Sequence, residues 1–203
     1  LETLPAGIEV KVFNDRTRTI RASLSEVGLT LVLTVVLVVV IMGLFLRQVS
    51  ATLVVGAVLL LSLIATVGVM YLLGYSLNNL TLVALIIAVG FVVDDAIVVV
   101  ENIHRHLELG ASRREAALRG ASEVGFTVIS ISISLVAAFI PLLFMGGVIG
   151  RLFREFSLVV AIAVMLSVLA ALTVAPMLAS QFMKAHKRGG GPQAGEDAGK
   201  VAA

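Results

Sequence analysis

Cysteine is absent from all 203 residues, so the chain can form no disulfide, no thiolate metal site and no cysteine nucleophile. Tryptophan is absent too, which removes the tryptophan belt found at many lipid–water boundaries. Charge is scarce: charged residues make up 14% of the sequence, against roughly a quarter in soluble domains. The formal net charge of +2 is too small to argue for a nucleic-acid partner. What fills the chain instead is apolar. Hydrophobic residues reach 59% and mean hydropathy is +1.10, the composition of an integral membrane protein. The sequence starts at Leu1 with no charged n-region, short apolar core and cleavage site, so it reads as a fragment of something longer rather than a chain with a signal peptide.

Residues 1–26 are polar by comparison. Ile8, Val10 and Val12 alternate with Glu9 and Lys11, a period-2 pattern for a short strand, and Asn14-Asp15 supplies a turn. A helix over Thr17 to Glu26 would then lead into the membrane. Five apolar segments follow at 27–46, 51–73, 77–100, 126–145 and 156–183, each near or above the roughly 20 residues that cross ~30 Å of hydrocarbon. The expected fold is therefore an all-α transmembrane bundle of five spans with a short extramembrane β/α remnant at its N-terminus. Residues 101–125 form a connector in which Ala116, Ala117, Leu118, Ala121 and Val124 suggest an amphipathic helix along the membrane face. Residues 184–203 are Gly-rich, polar and without periodicity, and read as a disordered tail.

Basic residues set the orientation. Arg47, Arg105, Arg113, Arg114, Arg119, Lys184, Lys187 and Arg188 fall on one side, against Arg151 and Arg154 in the internal loops of the other. The first side is expected to be cytoplasmic, which puts the N-terminal segment outside and the C-terminus inside. Lys11, Arg16, Arg18 and Arg21 run weakly against this, but translocated domains largely escape the rule.

The third apolar segment contains two adjacent carboxylates, Asp94 and Asp95. They precede the next charge, Glu101, by six or seven residues, which places them about 10 Å inside the end of their helix. Each charged residue near a helix centre costs about 2.5–3.5 kcal/mol on insertion scales, so the pair needs a use or a partner. No Lys or Arg lies at that depth to be a permanent partner. Neighbouring positions on a helix diverge by about 100°, so the two carboxylates face different neighbours. A carboxyl with an acidic neighbour and little water changes charge in response to a nearby cation or to water, so such a pair can load and unload protons. Gly90, one turn before Asp94, removes a side chain from the same face and would admit another helix closely.

Enzymatic uses of the pair fit poorly. An intramembrane aspartyl protease needs its aspartates on two helices, and no other expected span contains a carboxylate. An Asp-rich diphosphate–Mg²⁺ site needs a further acid one turn on, where Ile97 and Val98 stand, and Glu101 is too distant for a compact site. No enzyme, metal site or cofactor is expected. Ser130, Ser132 and Ser134 in the fourth segment, and Ser62 and Thr66 in the second, read as backbone-satisfying or packing groups. Pro141 and Pro176 would bend their helices, His104, His106 and His186 read as solvated, and Asn78 and Asn79 look like helix-start residues.

The stretch Gly90-Phe-Val-Val-Asp-Asp-Ala-Ile-Val-Val-Val-Glu-Asn resembles the fourth transmembrane helix of the resistance-nodulation-division (RND) superfamily, in its hydrophobe/amphiphile multidrug efflux branch. The likeness continues through Ser76-Leu-Asn-Asn-Leu-Thr-Leu, Ile140-Pro-Leu-Leu-Phe-Met-Gly-Gly and Gly150-Arg-Leu-Phe-Arg-Glu-Phe. The intact Asp-Asp pair resembles the drug-exporting branch more than the heavy-metal or protein-export branches. The resemblance implies helices two to six of a twelve-helix protomer in the bacterial inner membrane, with residues 1–26 closing a periplasmic porter region. It also implies that Asp94 and Asp95 are proton-relay residues whose partner lysine lies on a second repeat. The implied partners are the lipid bilayer, that second repeat, a homo- or heterotrimeric assembly, a periplasmic adaptor, an outer-membrane channel and amphiphilic drugs. The alternative is a truncated, non-transporting scaffold whose aspartates are only structural.

Overall fold

The computed structural model describes residues 16–183. The strand expected around Ile8 to Val12, the tail from residue 184 and His186 lie outside them. Five helices run in sequence: α1 (Arg16–Leu46), α2 (Val49–Leu72), α3 (Asn79–Glu108), α4 (Arg113–Leu143) and α5 (Gly147–Phe182). All five are long and apolar enough to cross a membrane, and no strand occurs among the described residues. The chain is an all-α membrane-type bundle.

Local chemistry fixes the turns. Arg47, at φ 50°, ends α1 in the left-handed region, leaving only Gln48 before α2. Gly74, at φ 76°, closes α2, and the Tyr75 N–H reaches back to the Met70 carbonyl at 3.0 Å. Asn78 then starts α3 with a capping box: its side chain accepts from the Leu80 and Thr81 N–H groups, and the Thr81 hydroxyl accepts from the Asn78 N–H at 2.8 Å. The Asn78 amide also donates to Glu155 of α5 at 2.9 Å, tying the starts of the two central helices together. Gly110, at φ 92°, and the Ser112 cap separate α3 from α4.

The helices extend past the apolar runs that mark them in sequence. Most of residues 101–125, read above as a connector, continues α3 to Glu108 and starts α4 at Arg113. The segment expected to lie along the membrane face is instead the first part of one uninterrupted α4, because nothing between Ser112 and Phe144 caps or breaks it. At 31 residues α4 is about 46 Å long, well beyond ~30 Å of hydrocarbon, so its charged start around Arg113 to Glu123 stands outside the apolar layer.

Burial singles out α3 and α5. Of their most apolar stretches 56% and 50% are buried within the bundle, against 6% for α1 and 11% for α4. Small residues let the two approach: Ala84, Ala88 and Ala96 on α3 and Ala163, Ala171 and Ala175 on α5 are fully buried. The face of α1 carrying Leu29, Leu33, Val36 and Val40 is exposed, as a lipid-facing or partner-facing helix requires.

Candidate functional site

Helix α3 buries most of its circumference and exposes one stripe. Val83, Ile87, Gly90, Asp94, Val98, Glu101 and Arg105 follow one another at three- and four-residue steps, all exposed. Asp94 sits midway along this stripe. The next residue, Asp95, is turned about 100° away and is only 8% exposed. The two carboxylates thus serve different surroundings, as their adjacency on a helix requires.

Asp95 points into the junction of α3, α4 and α5. The Ser167 hydroxyl of α5 donates to Oδ2 at 3.0 Å, and the Ser132 hydroxyl of α4 lies 3.4 Å from Oδ1. Each serine also has a backbone acceptor, Val92 O at 3.2 Å for Ser167 and Val128 O at 2.9 Å for Ser132. A hydroxyl has one hydrogen to give. Distance assigns that of Ser132 chiefly to its own helix and that of Ser167 chiefly to the carboxylate. Among the described residues no ion pair involves Asp94 or Asp95, and no group of three or more His, Asp or Glu could hold a metal.

Gly90 shares the open stripe, and a Cβ built on it would meet no atom within 4 Å. The described helices leave that space empty. At the charged end of the stripe, Glu123 of α4 gathers three α3 side chains: His106 Nε2 at 3.0 Å, the Asn102 amide at 3.1 Å and Arg105 at 3.2 Å. The His106 contact is close but off the line of a good ring N–H hydrogen bond. His106 first, then Asn102, hold the Glu123 carboxyl below its usual range. The approach of α4 brings a correction: the side chain of His106 is 12% exposed rather than solvated, with Glu123 of α4 against its ring and the α4 backbone at Gly120 close on Ile103, one turn before it.

Sequence reading brings Asp94, Asp95 and Gly90 forward but not their surroundings. Ser132 reads there as a packing group, and Ser167 and Glu123 carry no local signal. Ser130 and Ser134 bond only their own helix, at Phe126 O and Ser130 O, and Thr66 bonds Ser62 O.

Residues 1–194 match the sequence pattern of the AcrB/AcrD/AcrF family. The multidrug resistance protein MdtC of Escherichia coli O139:H28 (strain E24377A / ETEC) is 54% identical over 186 residues, which is 92% of this chain and 18% of that protein. MdtC of Escherichia coli (strain SE11) is 55% identical and MdtC of Shigella flexneri 54%, with the same shares covered. The chain spans 18% of the length of these curated relatives.

Proposed function

The chain belongs to the AcrB/AcrD/AcrF family, and from that premise we propose that it supplies the aspartate half of the proton relay in a proton-driven multidrug efflux transporter of the bacterial inner membrane. One observation carries this reading. Among the described residues Asp95 is buried between helices that offer it hydroxyls and no cation, while Asp94 opens onto an exposed stripe. A purely structural carboxylate buried at the junction of α3, α4 and α5 would be expected to have its counter-ion on one of those helices.

The Ser167 hydroxyl suits a group that changes protonation. With Asp95 ionised, Ser167 donates to Oδ2. With Asp95 protonated, the carboxyl donates to Ser167 Oγ, and the Ser167 hydrogen swings to Val92 O, 3.2 Å away. Ser167 keeps a hydrogen-bond partner in either state, so the change of charge at Asp95 leaves that hydroxyl satisfied. Asp94 faces outward along the stripe, where a second-half helix carrying a lysine would meet it. Protonation would release that cation, and Gly90 would let the helix close in and shift. Moving one charge across 100 mV is worth about 2.3 kcal/mol, enough for one or two protons to bias a helix rearrangement. In this reading Arg47, Arg105 and Arg113 mark the cytoplasmic end, the N-terminal segment is periplasmic, and trimerisation, a periplasmic adaptor, an outer-membrane channel and amphiphilic drugs belong to the complete transporter.

Drug export by cells carrying Asp94→Asn or Asp95→Asn in the complete transporter tests the reading. Export is expected to be abolished in both, with membrane expression unchanged. Near-normal export from either would overturn it.

A further inference from the structure

The exposed stripe of α3 does not stop at Asp94. One turn on stands Val98 and two turns on Glu101, both exposed on the same face. A cavity of about 430 Å³ opens there between α3 and α4, lined by Val98, Glu101, Asn102, Arg105 and Val124 among others. It therefore reaches from the charged end of the bundle to the residue one turn below Asp94. Glu101 also borders a second cavity of about 450 Å³, walled by Met42, Phe45 and Ile97, which leaves its carboxylate on a ridge between two open spaces. The neighbouring side chains have other partners: Arg105 pairs with Glu123, His106 lies 3.0 Å from Glu123, and His104 lies 3.5 Å from Glu108. Glu101 takes part in no ion pair among the described residues.

We infer that Glu101 is the acceptor through which protons leave Asp94 toward the basic end of the bundle, an inference that rests on the relay reading above. Seven residues separate the two carboxylates, roughly 10 Å along the axis, too far for direct transfer. The step therefore runs through water. Protonated Asp94 gives its proton to a water at Val98 and becomes ionised; the water chain passes a proton to the Glu101 carboxylate; Glu101 then gives it to bulk water and is ionised again. A cavity of this size holds several waters, and its walls supply polar partners at Asn102 and Arg105 for them. Proton transfer through a positioned side chain is worth on the order of 10²- to 10⁴-fold, and water can replace part of it.

The test is drug-coupled proton flux through the complete transporter in proteoliposomes. Glu101→Gln should slow the flux about tenfold, with drug binding unchanged, and a small permeant weak acid added on the basic side should restore it. Glu101→Asp should keep most of the flux. Normal flux in Glu101→Gln, or a loss that weak acids do not restore, would overturn the proposal. A second arm introduces a thiol on the route: Val98→Cys, compared with the otherwise identical transporter lacking it, should react with a membrane-impermeant thiol reagent from the basic side, and an unreactive thiol would contradict a water route. Asp94→Asn separates the two readings. If it pumps normally, the relay fails; if it is dead while Glu101→Gln is normal, only the exit route fails.

Discussion

Replacing Gly120 by alanine measures the close crossing of α3 and α4. A Cβ at Gly120 would lie 2.8 Å from Ile103 Cα and Cγ1 and 2.9 Å from its N, so it meets backbone that cannot swing aside. Restoring an ordinary 3.4 Å contact from 2.8 Å needs the helices to part by about 0.6 Å. The Asn102 amide, 2.8 Å from Gly120 O, would then stretch to about 3.4 Å, outside good hydrogen-bond range. Overpacking costs about 1–3 kcal/mol and the bond about 0.5–1.5, while alanine regains about 1 kcal/mol in helix propensity. The net expectation is a loss of roughly 0.5–3.5 kcal/mol. Unfolding of the chain in detergent micelles, followed by circular dichroism against added denaturing detergent, reads it out. Gly68→Ala, where nothing lies within 4 Å, is the control and should be neutral or stabilising. A Gly120→Ala chain as stable as the wild type would refute the crossing.

The two serines at Asp95 should separate in effect. Ser167→Ala removes the 3.0 Å donor and should change the pH profile of drug export, with about 0.6–1.7 kcal/mol of lost stability. Ser132→Ala should do less, since that hydrogen is committed to Val128 O; equal effects would contradict the assignment. At Glu123, a carboxyl held below its usual range binds protons less readily when folded than when unfolded. Its contribution is present above the ordinary carboxylate range and lost as pH falls through the lowered folded value, so Glu123→Gln should flatten the acid limb of a stability-against-pH curve. Gly90→Leu should leave folding of the chain unchanged, because no described atom lies near, yet stop export if another helix must close on that stripe.

The five helices are legible as apolar runs because membrane spans announce themselves by length and composition. Their ends are not. Hydropathy drops at Glu101 and recovers only at Phe126, but backbone hydrogen bonding carries α3 through to Glu108 and resumes at the Ser112 cap, since charged residues outside hydrocarbon cost a helix little. The divergence of Asp94 and Asp95 follows from helix geometry alone. What surrounds Asp95 does not, because Ser132 and Ser167 stand 37 and 72 residues away and a serine in an apolar run looks the same whether it bonds its own helix or a carboxylate. His106 shows the same limit: the α4 carboxylate against its ring, Glu123, is seventeen residues on, in a packing contact that no local pattern marks.

The central claim is that Asp94 and Asp95 carry protons whose movement is coupled to drug transport. Drug-triggered proton flux in proteoliposomes of the complete transporter, compared among wild type, Asp94→Asn and Asp95→Asn, tests it most directly. The account predicts coupled flux in the wild type and none in either variant, with drug binding retained in all three. Coupled flux of wild-type size in either variant would contradict it.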